Sequence, residues 1–249
     1  MYPNLFGIHD FSYTLCMIVG IIAAFLVAAF YFKKKNISKK GIVDLLICGC
    51  FSVVFALVFA VLFENMYEAI ALKDAYQWSF KMTFFGGLFG GTIAFLVTYY
   101  IMKKVSTVNF EILDAAVIAP VSILVGHGFG RIGCFLAGCC YGVPTDLWIG
   151  INFPGVGKVI PTQLIEAIIL FVLFAMAAIL TFKFDFKYSA VLYLFCYGVA
   201  RFVIEFYRGD ERGVLFALSP SQIWSILLIL AIIPVYFWLK REINNHENK

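Results

Sequence analysis

The rest of the chain is organised around the stretch His127-Gly-Phe-Gly-Arg-Ile-Gly-Cys-Phe-Leu-Ala-Gly-Cys-Cys-Tyr-Gly142. It holds five glycines, three cysteines, one histidine and one arginine, whereas the segments on both sides read as membrane helix. Glycine at this density does not favour a lipid-facing helix. Irregular backbone persists in a membrane only where protein or trapped water surrounds it. We therefore expect an internal, irregular feature, with Arg131 facing into it, because a charge at membrane depth marks a candidate site.

Composition identifies the class of protein. The chain has 249 residues, of which 63% are hydrophobic and only 14% charged, and its mean hydropathy is +0.94. Soluble domains are about half apolar and about a quarter charged. The sequence therefore predicts an all-α, polytopic membrane protein with one domain over residues 1–249. The net charge of +4 gives no indication of a nucleic-acid partner, and the seven cysteines do not form a secreted disulfide pattern.

Seven apolar segments are long enough to span a bilayer. We predict spans at residues 11–32, 43–63, 83–102, 111–126, 162–182, 189–207 and 219–239, the fourth of which enters the glycine stretch. Residues 64–81 are expected to form a mixed loop.

The charge of the connections predicts the orientation of these spans. Lysines concentrate at residues 33–40, 103–104 and 183–187 and in the tail from residue 240, while acidic residues occupy the alternate loops. Basic connections lie on the cytoplasmic side. This pattern predicts an N-terminus outside, a C-terminus in the cytoplasm, and a segment 127–161 that opens to the outer face.

The sixth span carries three charged residues. Arg201, Glu205 and Arg208 are spaced by four and three residues, so we expect them on one helical face. In one interpretation Arg201 and Glu205 pair to lock the helices together. In the other, Arg201 and Arg131 hold one phosphate group, since guanidinium forks suit phosphate.

Two further segments carry weaker signals. Pro161 begins the fifth span, and Glu166 lies one turn inside it, where an acid needs a partner. Residues 84–91 hold two overlapping small-xxx-small patterns, which favour close helix approach.

The cysteines and the histidine allow several chemistries. His127, Cys134, Cys139 and Cys140 could ligate zinc by count, but their spacing is poor, so we predict neither a metal nor a cofactor. Cys134 and Cys139 could form a redox pair. Cys139 or Cys140 could be a nucleophile whose pKa is lowered by an arginine. His127 could be a general base or a satisfied residue at a helix end.

The same residues carry a resemblance to a known family. Residues 130–142, Gly-Arg-Ile-Gly-x-Phe-x-x-Gly-x-x-x-Gly, resemble the signature of the phosphatidylglycerol–prolipoprotein diacylglyceryl transferase family. Residues 161–166 (Pro-Thr-Gln-Leu-x-Glu) and 197–208 (Tyr-Gly-x-x-Arg-Phe-x-x-Glu-Phe-x-Arg) resemble two further family segments in the right order. Residues 85–88 (Phe-Gly-Gly-Leu) resemble a fourth segment. The seven-span, N-outside topology agrees with the family's.

Five positions depart from the family's pattern. Phe85 and Ile160 stand where the family has histidines, and Ile165 where it has a tyrosine. Cys134 replaces an asparagine and Cys139 a glutamate. The chain is therefore identified as a divergent, cysteine-containing branch.

The resemblance implies a lipid transferase of the bacterial cytoplasmic membrane. It would move a diacylglyceryl or related group from a phosphatidylglycerol-like donor to a lipoprotein thiol or other acceptor at the outer leaflet. Arg131 and Arg201 would bind the lipid phosphate, with His127 as candidate base and Glu166 as a catalytic residue. Cys139 or Cys140 would be a candidate covalent carrier. The supporting residues are Cys134, Gln163, Tyr197, Glu205 and Arg208.

Two other functions stay open at this point. The chain could be a non-enzymatic lipid-binding accessory protein. It could also be a membrane thiol redox protein built on Cys134, Cys139 and Cys140.

Overall fold

The structure, a computed structural model, describes residues 11–72, 76–105, 108–209 and 218–248. Within this part of the chain, eight helices accompany one two-stranded antiparallel sheet. The elements are α1 (Phe11–Lys34), α2 (Lys39–Leu72), α3 (Phe84–Val105), α4 (Ile112–Ala137), β1 (Ile151–Phe153), β2 (Gly157–Val159), α5 (Thr162–Phe184), α6 (Ser189–Glu205), α7 (Pro220–Leu230) and α8 (Ile232–Glu247).

Most of these helices have the length and composition of membrane spans. Six described segments are long and apolar enough to cross a bilayer, when α7 and α8 are counted together. The remaining predicted span, the sixth (residues 189–207), corresponds to α6, which has only 17 residues. A mainly helical, polytopic membrane protein is therefore confirmed, while the count of seven and the orientation stay predictions.

The chain divides into two compact units. Residues 32–115 form one of them, and the residues up to Tyr31 together with those from Ala116 onward form the other. The prediction of a single transferase-like domain over residues 1–249 stays a prediction.

In the unit of residues 32–115, α2 and α3 pack along a row of glycines. A Cβ atom added to Gly86 would lie 2.6 Å from the carbonyl oxygen of Phe59, and one at Gly90 would clash with the Phe59 side chain. Ser52 Oγ donates a hydrogen bond to the Gly91 carbonyl at 2.8 Å. The expected close helix approach at residues 84–91 is therefore confirmed.

The predicted loop at residues 64–81 is wrong over its first half, because α2 continues to Leu72. The sequence after Phe63 is rich in glutamate, methionine, alanine and leucine, which are strong helix formers. Glu68 consequently lies on the helix, where its carboxylate accepts a hydrogen bond from Lys81 Nζ at 2.6 Å.

The glycine stretch is regular α-helix as far as Ala137. The expectation that α4 ends near residue 126 is therefore wrong. Its glycines serve a different purpose, because they let α4 approach α1. A Cβ atom at Gly20 would lie 2.8 Å from the Gly126 carbonyl oxygen, and one at Gly133 would lie 3.1 Å from Cys16 Cβ. Small residues at a helix interface compensate for their low helix propensity by close packing.

The last predicted span, residues 219–239, is two helices that meet at Ala231. Pro234 explains the break, because a proline four residues after Leu230 offers no N–H to the Leu230 carbonyl and its ring crowds that group. Ser219 begins α7 with a capping box, in which its side chain and that of Gln222 satisfy each other's backbone N–H groups.

The segment between α4 and α5 contains the short hairpin of β1 and β2, which the all-α prediction omitted. Gly142 anchors this segment, since its N–H donates to the Ile160 carbonyl at 2.8 Å and it forms a β-bridge with Arg208. A Cβ atom at Gly142 would lie 2.5 Å from the Tyr207 carbonyl oxygen. The two backbone segments therefore lie too close together for any larger residue at this position.

Candidate functional site

Glu166 lies at the centre of a buried polar cluster in the unit that contains α4 to α8. It projects from the second turn of α5 and is 1% exposed. Its Oε1 atom lies 3.0 Å from Arg131 Nη2 of α4 and accepts a hydrogen bond from the Tyr197 hydroxyl of α6 at 3.0 Å. The sequence-based expectation that this acid has partners is confirmed, and two helices, α4 and α6, supply them.

Arg201 extends the cluster along α6. Its guanidinium is 2.6 Å from Glu205 Oε2 and donates to Ser221 Oγ of α7 at 2.9 Å. Arg201 Nε lies 4.0 Å from Glu166 Oε1, so one carboxylate faces both Arg131 and Arg201. The Arg201–Glu205 pair considered from the sequence therefore exists, and it is part of a larger arrangement.

His127 joins the same group of side chains. It lies four residues before Arg131 on continuous helix, so both share one face of α4. Its Nε2 atom is 3.9 Å from Glu166 Oε1, and its ring meets the Tyr197 ring edge-on at 5.1 Å between centroids. The alternative of a helix-end histidine is wrong, because α4 continues for ten residues beyond it, to Ala137.

We call this set the guanidinium cluster; it comprises His127, Arg131, Glu166, Tyr197, Arg201 and Glu205. Several of its polar atoms have unused hydrogen-bonding capacity. Arg131 Nε, Arg201 Nη1 and Glu166 Oε2 are buried and have no hydrogen-bond partner among the described residues. Buried polar groups without partners are costly and rare in folded proteins. Donors held in this way suit a ligand that brings its own acceptor oxygens.

Arg208 was expected on the same helical face as Arg201 and Glu205, but α6 ends at Glu205. Arg208 instead lies just beyond the helix, where its N–H donates to the Glu205 carbonyl at 3.2 Å. It is nevertheless buried.

A second group of functional residues follows α4, and we call Cys134, Cys139 and Cys140 the sulfur turn. Gly138 has a φ of 77°, and the N–H groups of Gly138 and Cys139 donate to the carbonyls of Phe135 and Cys134, each at 3.1 Å. These two bonds form a Schellman motif, which ends the helix. All seven cysteines of the chain are free thiols.

The N-terminus of α5 holds the sulfur turn in place. Thr162 Oγ1 donates to the Cys140 carbonyl at 2.9 Å, and Gln163 Nε2 donates to the Cys139 carbonyl. Gln163 therefore positions the turn rather than the guanidinium cluster, which the sequence alone did not indicate.

The charges around the sulfur turn affect its thiols unequally. Hydrogen bonding to Cys134 and Cys139, followed by the positive charges of Arg208 and Arg131, lowers the pKa of the Cys140 thiol. Hydrogen bonding to Cys134 and Cys140 raises the pKa of Cys139. Of the two candidate nucleophiles, Cys140 is therefore the one whose thiolate form the positive charges of Arg208 and Arg131 favour.

Two residues of the site were not predicted from the sequence. Ser221 supports Arg201, and Thr162 supports Cys140. Both are small hydroxyl residues in the first turn of a helix, a position where serine and threonine are common for capping alone. Phe85, which stands at a family histidine position, is buried within the unit of residues 32–115.

The guanidinium cluster has the groups needed to bind an anion and to accept a proton. Arg131 and Arg201 offer planar N–H donors, which match phosphate oxygens. Glu166 fixes one of these forks, and His127 is an imidazole within reach of the same carboxylate. Two arginines, one base and nearby thiols are a suitable set for displacing a phosphate ester.

Comparison with known proteins is consistent with this chemistry. A family profile described as "Prolipoprotein diacylglyceryl transferase" matches residues 3–238. A phosphatidylglycerol–prolipoprotein diacylglyceryl transferase of Clostridium tetani is 34% identical over 94% of this chain and 94% of its own length. The one of Finegoldia magna is 31% identical over 99% of this chain and 98% of its own.

A further relative has a higher sequence identity over a shorter part of the chain. The phosphatidylglycerol–prolipoprotein diacylglyceryl transferase of Campylobacter curvus is 38% identical over 59% of this chain and 54% of its own length. These similarities favour the transferase prediction over the accessory and redox alternatives. The chain belongs to the prolipoprotein diacylglyceryl transferase family and is a membrane-embedded transferase.

Proposed function

We propose that this transferase moves the diacylglyceryl group of phosphatidylglycerol to the cysteine thiol of a prolipoprotein, at the outer leaflet of a bacterial cytoplasmic membrane. The names of the relatives from Clostridium tetani and Finegoldia magna support this donor and this acceptor. The guanidinium cluster is the proposed active site.

The observation that carries the proposal is the shared carboxylate between two guanidiniums. Arg131 Nη2 and Arg201 Nε lie 3.0 and 4.0 Å from the same Glu166 oxygen, while other N–H groups of both arginines remain without described partners. Glu166 keeps the two forks apart and oriented. A phosphodiester between them would satisfy the remaining donors with charge-assisted hydrogen bonds.

The proposed reaction is a single displacement. The acceptor sulfur attacks the glycerol carbon that carries the phosphate, a C–S bond forms, and the C–O bond breaks. Glycerol phosphate leaves with the electron pair, and its growing charge is stabilised by the fixed guanidiniums of Arg131 and Arg201.

His127 takes the proton of the attacking thiol. A thiolate is the nucleophilic form of cysteine, so this proton must leave before or during the attack. The Glu166 carboxylate, 3.9 Å from His127 Nε2, would stabilise the imidazolium that results.

A thiol of the chain itself was predicted as a covalent carrier, and this stays a prediction for Cys139 and Cys140. The positive charges of Arg208 and Arg131 near Cys140 support that residue as the carrier, but a carrier faces a chemical difficulty. The intermediate would be an alkyl thioether, whose C–S bond the acceptor must then break without a phosphate leaving group. Serine variants that keep the rate of direct transfer would exclude the carrier.

The outer-leaflet location is supported by the charge of the connections. The lysine-rich connection at residues 33–40 favours the cytoplasmic side, which would place the hairpin of β1 and β2 outside. Asp146 and Val156 in that region are exposed. In a background without accessible native thiols, Asp146→Cys or Val156→Cys should react with an impermeant maleimide in intact cells. Labelling only of a cysteine placed in residues 33–40 would reverse the orientation.

The function itself is tested with purified protein in lipid nanodiscs and a peptide that carries a lipoprotein cysteine. We expect the peptide to gain the mass of one diacylglyceryl group with phosphatidylglycerol, and no mass with diacylglycerol, which lacks the phosphate. Release of glycerol phosphate should match the modified peptide one to one. An unmodified peptide in the presence of phosphatidylglycerol, with folded protein, would contradict the proposal.

A further inference from the structure

The backbone turn at the end of α4 brings two thiols of the sulfur turn together. In a Schellman motif the residue after the left-handed glycine lies against the residue five positions earlier. Here those two residues are Cys139 and Cys134, joined by the 3.1 Å bond from the Cys139 N–H to the Cys134 carbonyl. The motif thus places two thiols side by side at the end of α4.

Cys140 completes the group because of its unusual backbone. Its φ of 66° lies in the left-handed region, which non-glycine residues rarely adopt. The bonds from Thr162 and Gln163 to the carbonyls of Cys140 and Cys139 hold this conformation. As a result, the sulfur atoms of Cys134, Cys139 and Cys140 all lie within 4.8 Å of one another.

This spacing is close to what one metal ion requires. Three thiolates at ~2.3 Å from a shared ion are roughly 4 Å apart, so small rotations of the side chains would bring the sulfurs into place. Among the described residues no histidine or carboxylate belongs to this group. A site made of sulfur alone selects soft ions over magnesium or calcium.

We infer that Cys134, Cys139 and Cys140 form a three-sulfur site for a single thiophilic cation of the zinc, cadmium or copper(I) class. Three thiolates and a divalent ion carry one net negative charge, and the positive charges of Arg131 and Arg208 that act on Cys140 would balance it. Adjacent cysteines are a poor pair for one metal in an extended chain. The left-handed turn at Cys140 removes that objection, which the sequence spacing had raised.

The site does not depend on the proposed lipid transfer. An ion bound there would link α4 to the turn that α5 holds, and so would resist thermal opening of this end of α4. Because binding to the folded state alone raises stability, the apparent unfolding temperature should rise with metal concentration.

Cadmium is the probe for the test, because cadmium thiolates have a sulfur-to-metal charge-transfer absorption in the ultraviolet. Full-length protein in detergent is reduced with a phosphine, stripped with a chelator and titrated with Cd²⁺. We expect the band to saturate at one equivalent, and X-ray absorption of that sample to report three sulfur neighbours. The apparent unfolding temperature should increase in parallel.

Serine variants identify the ligands. Cys134→Ser, Cys139→Ser and Cys140→Ser should each weaken cadmium binding at least about tenfold, as expected when a metal site loses a ligand or its support. Cys50→Ser and Cys196→Ser, which alter thiols outside the group, should bind like the unmodified protein.

Three results would overturn the inference. The first is the absence of a saturable band in the unmodified protein, and the second is binding that survives in the triple serine variant. The third is a count of one or two sulfur neighbours, which is measured on the unmodified protein and so decides the question even if a variant does not fold.

Discussion

The guanidinium cluster and the sulfur turn begin on the same helix, but they are built in different ways. Arg131 and Cys134 are only three residues apart on α4. The cluster gathers side chains from α4, α5 and α6, and each depends on charges supplied by the others. The turn is contiguous, and it is held by hydrogen bonds to its own backbone, two from within the turn and two from Thr162 and Gln163 of α5.

This difference predicts which positions tolerate substitution. The cluster retains the residues that resemble the family's segments, since removal of one charge leaves another buried without a partner. The sulfur turn carries Cys134 and Cys139 in place of the family's asparagine and glutamate. Its conformation depends on Gly138 rather than on those side chains, so the substitutions leave the backbone intact.

The largest effect is expected for Glu166→Gln. Among the described residues, it removes the one carboxylate that faces both Arg131 and Arg201. Breaking a buried pair costs roughly 3–5 kcal/mol of unfolding free energy. We expect a clear fall in unfolding temperature, measured by circular dichroism in detergent, and loss of transfer.

The matched control for this variant is Glu247→Gln. Its carboxylate pairs with Lys187 at 3.1 Å but is 61% exposed. Exposed pairs contribute at most about 1 kcal/mol, so the unfolding temperature should hardly change. Equal effects of the two substitutions would mean that burial does not distinguish the cluster.

Tyr197→Phe should have a smaller effect on the cluster. It removes the 3.0 Å hydrogen bond to Glu166 but keeps the ring against His127. A hydrogen bond to a charged group contributes about 1.5–3 kcal/mol. We expect the transfer rate to fall roughly tenfold or more while the fold is kept. An unchanged rate would remove Tyr197 from the working site.

Helix packing around the cluster is tested with two glycines. Gly20→Ala would place a Cβ atom 2.8 Å from the Gly126 carbonyl oxygen, whereas Gly130→Ala meets only Met17 Sδ at 3.9 Å. Overpacking costs about 1–3 kcal/mol. The first variant should lower the unfolding temperature, and the second should leave it unchanged or slightly higher. The reverse order would refute the described approach of α1 and α4.

The sulfur turn is tested by Gly138→Ala. At a φ of 77° an alanine is strained by roughly 1–2 kcal/mol, and asparagine tolerates this region better. We expect Gly138→Ala to weaken cadmium binding more than Gly138→Asn does, with transfer less affected than in Glu166→Gln. A Gly138→Ala variant that binds cadmium normally would show that the left-handed turn is dispensable.

The charged residues of the cluster could be identified from the sequence alone. Arg131, Glu166 and Arg201 stand inside apolar segments, where a charge demands a partner. Which of these residues contact one another could not be predicted from the sequence, because the contacts depend on how α4, α5 and α6 are rotated about their axes. Ser221 illustrates this limit, since nothing distinguishes it from any other serine at a helix start.

The errors in helix boundaries also have physical causes. The low helix propensity of glycine predicts a break at residues 126–137, but packing against α1 outweighs that propensity. The break at Ala231 was predictable from Pro234 and was missed because the apolar run continues through it. The sulfur turn required the backbone conformations of Gly138 and Cys140, which residue types only suggest.

Arg131 and Arg201 are proposed to hold the lipid phosphate. The most direct test is the transfer assay with Arg131→Lys, Arg201→Lys and, as a control, Arg241→Lys on the exposed end of α8. Lysine keeps the charge but loses the planar fork. We predict that Arg131→Lys and Arg201→Lys fold but that each lowers the transfer rate roughly 100-fold or more, which is the usual cost of removing a hydrogen-bond donor from a developing negative charge. Arg241→Lys should be fully active. Full activity of both Arg131→Lys and Arg201→Lys would contradict the account and leave the two arginines a purely structural role.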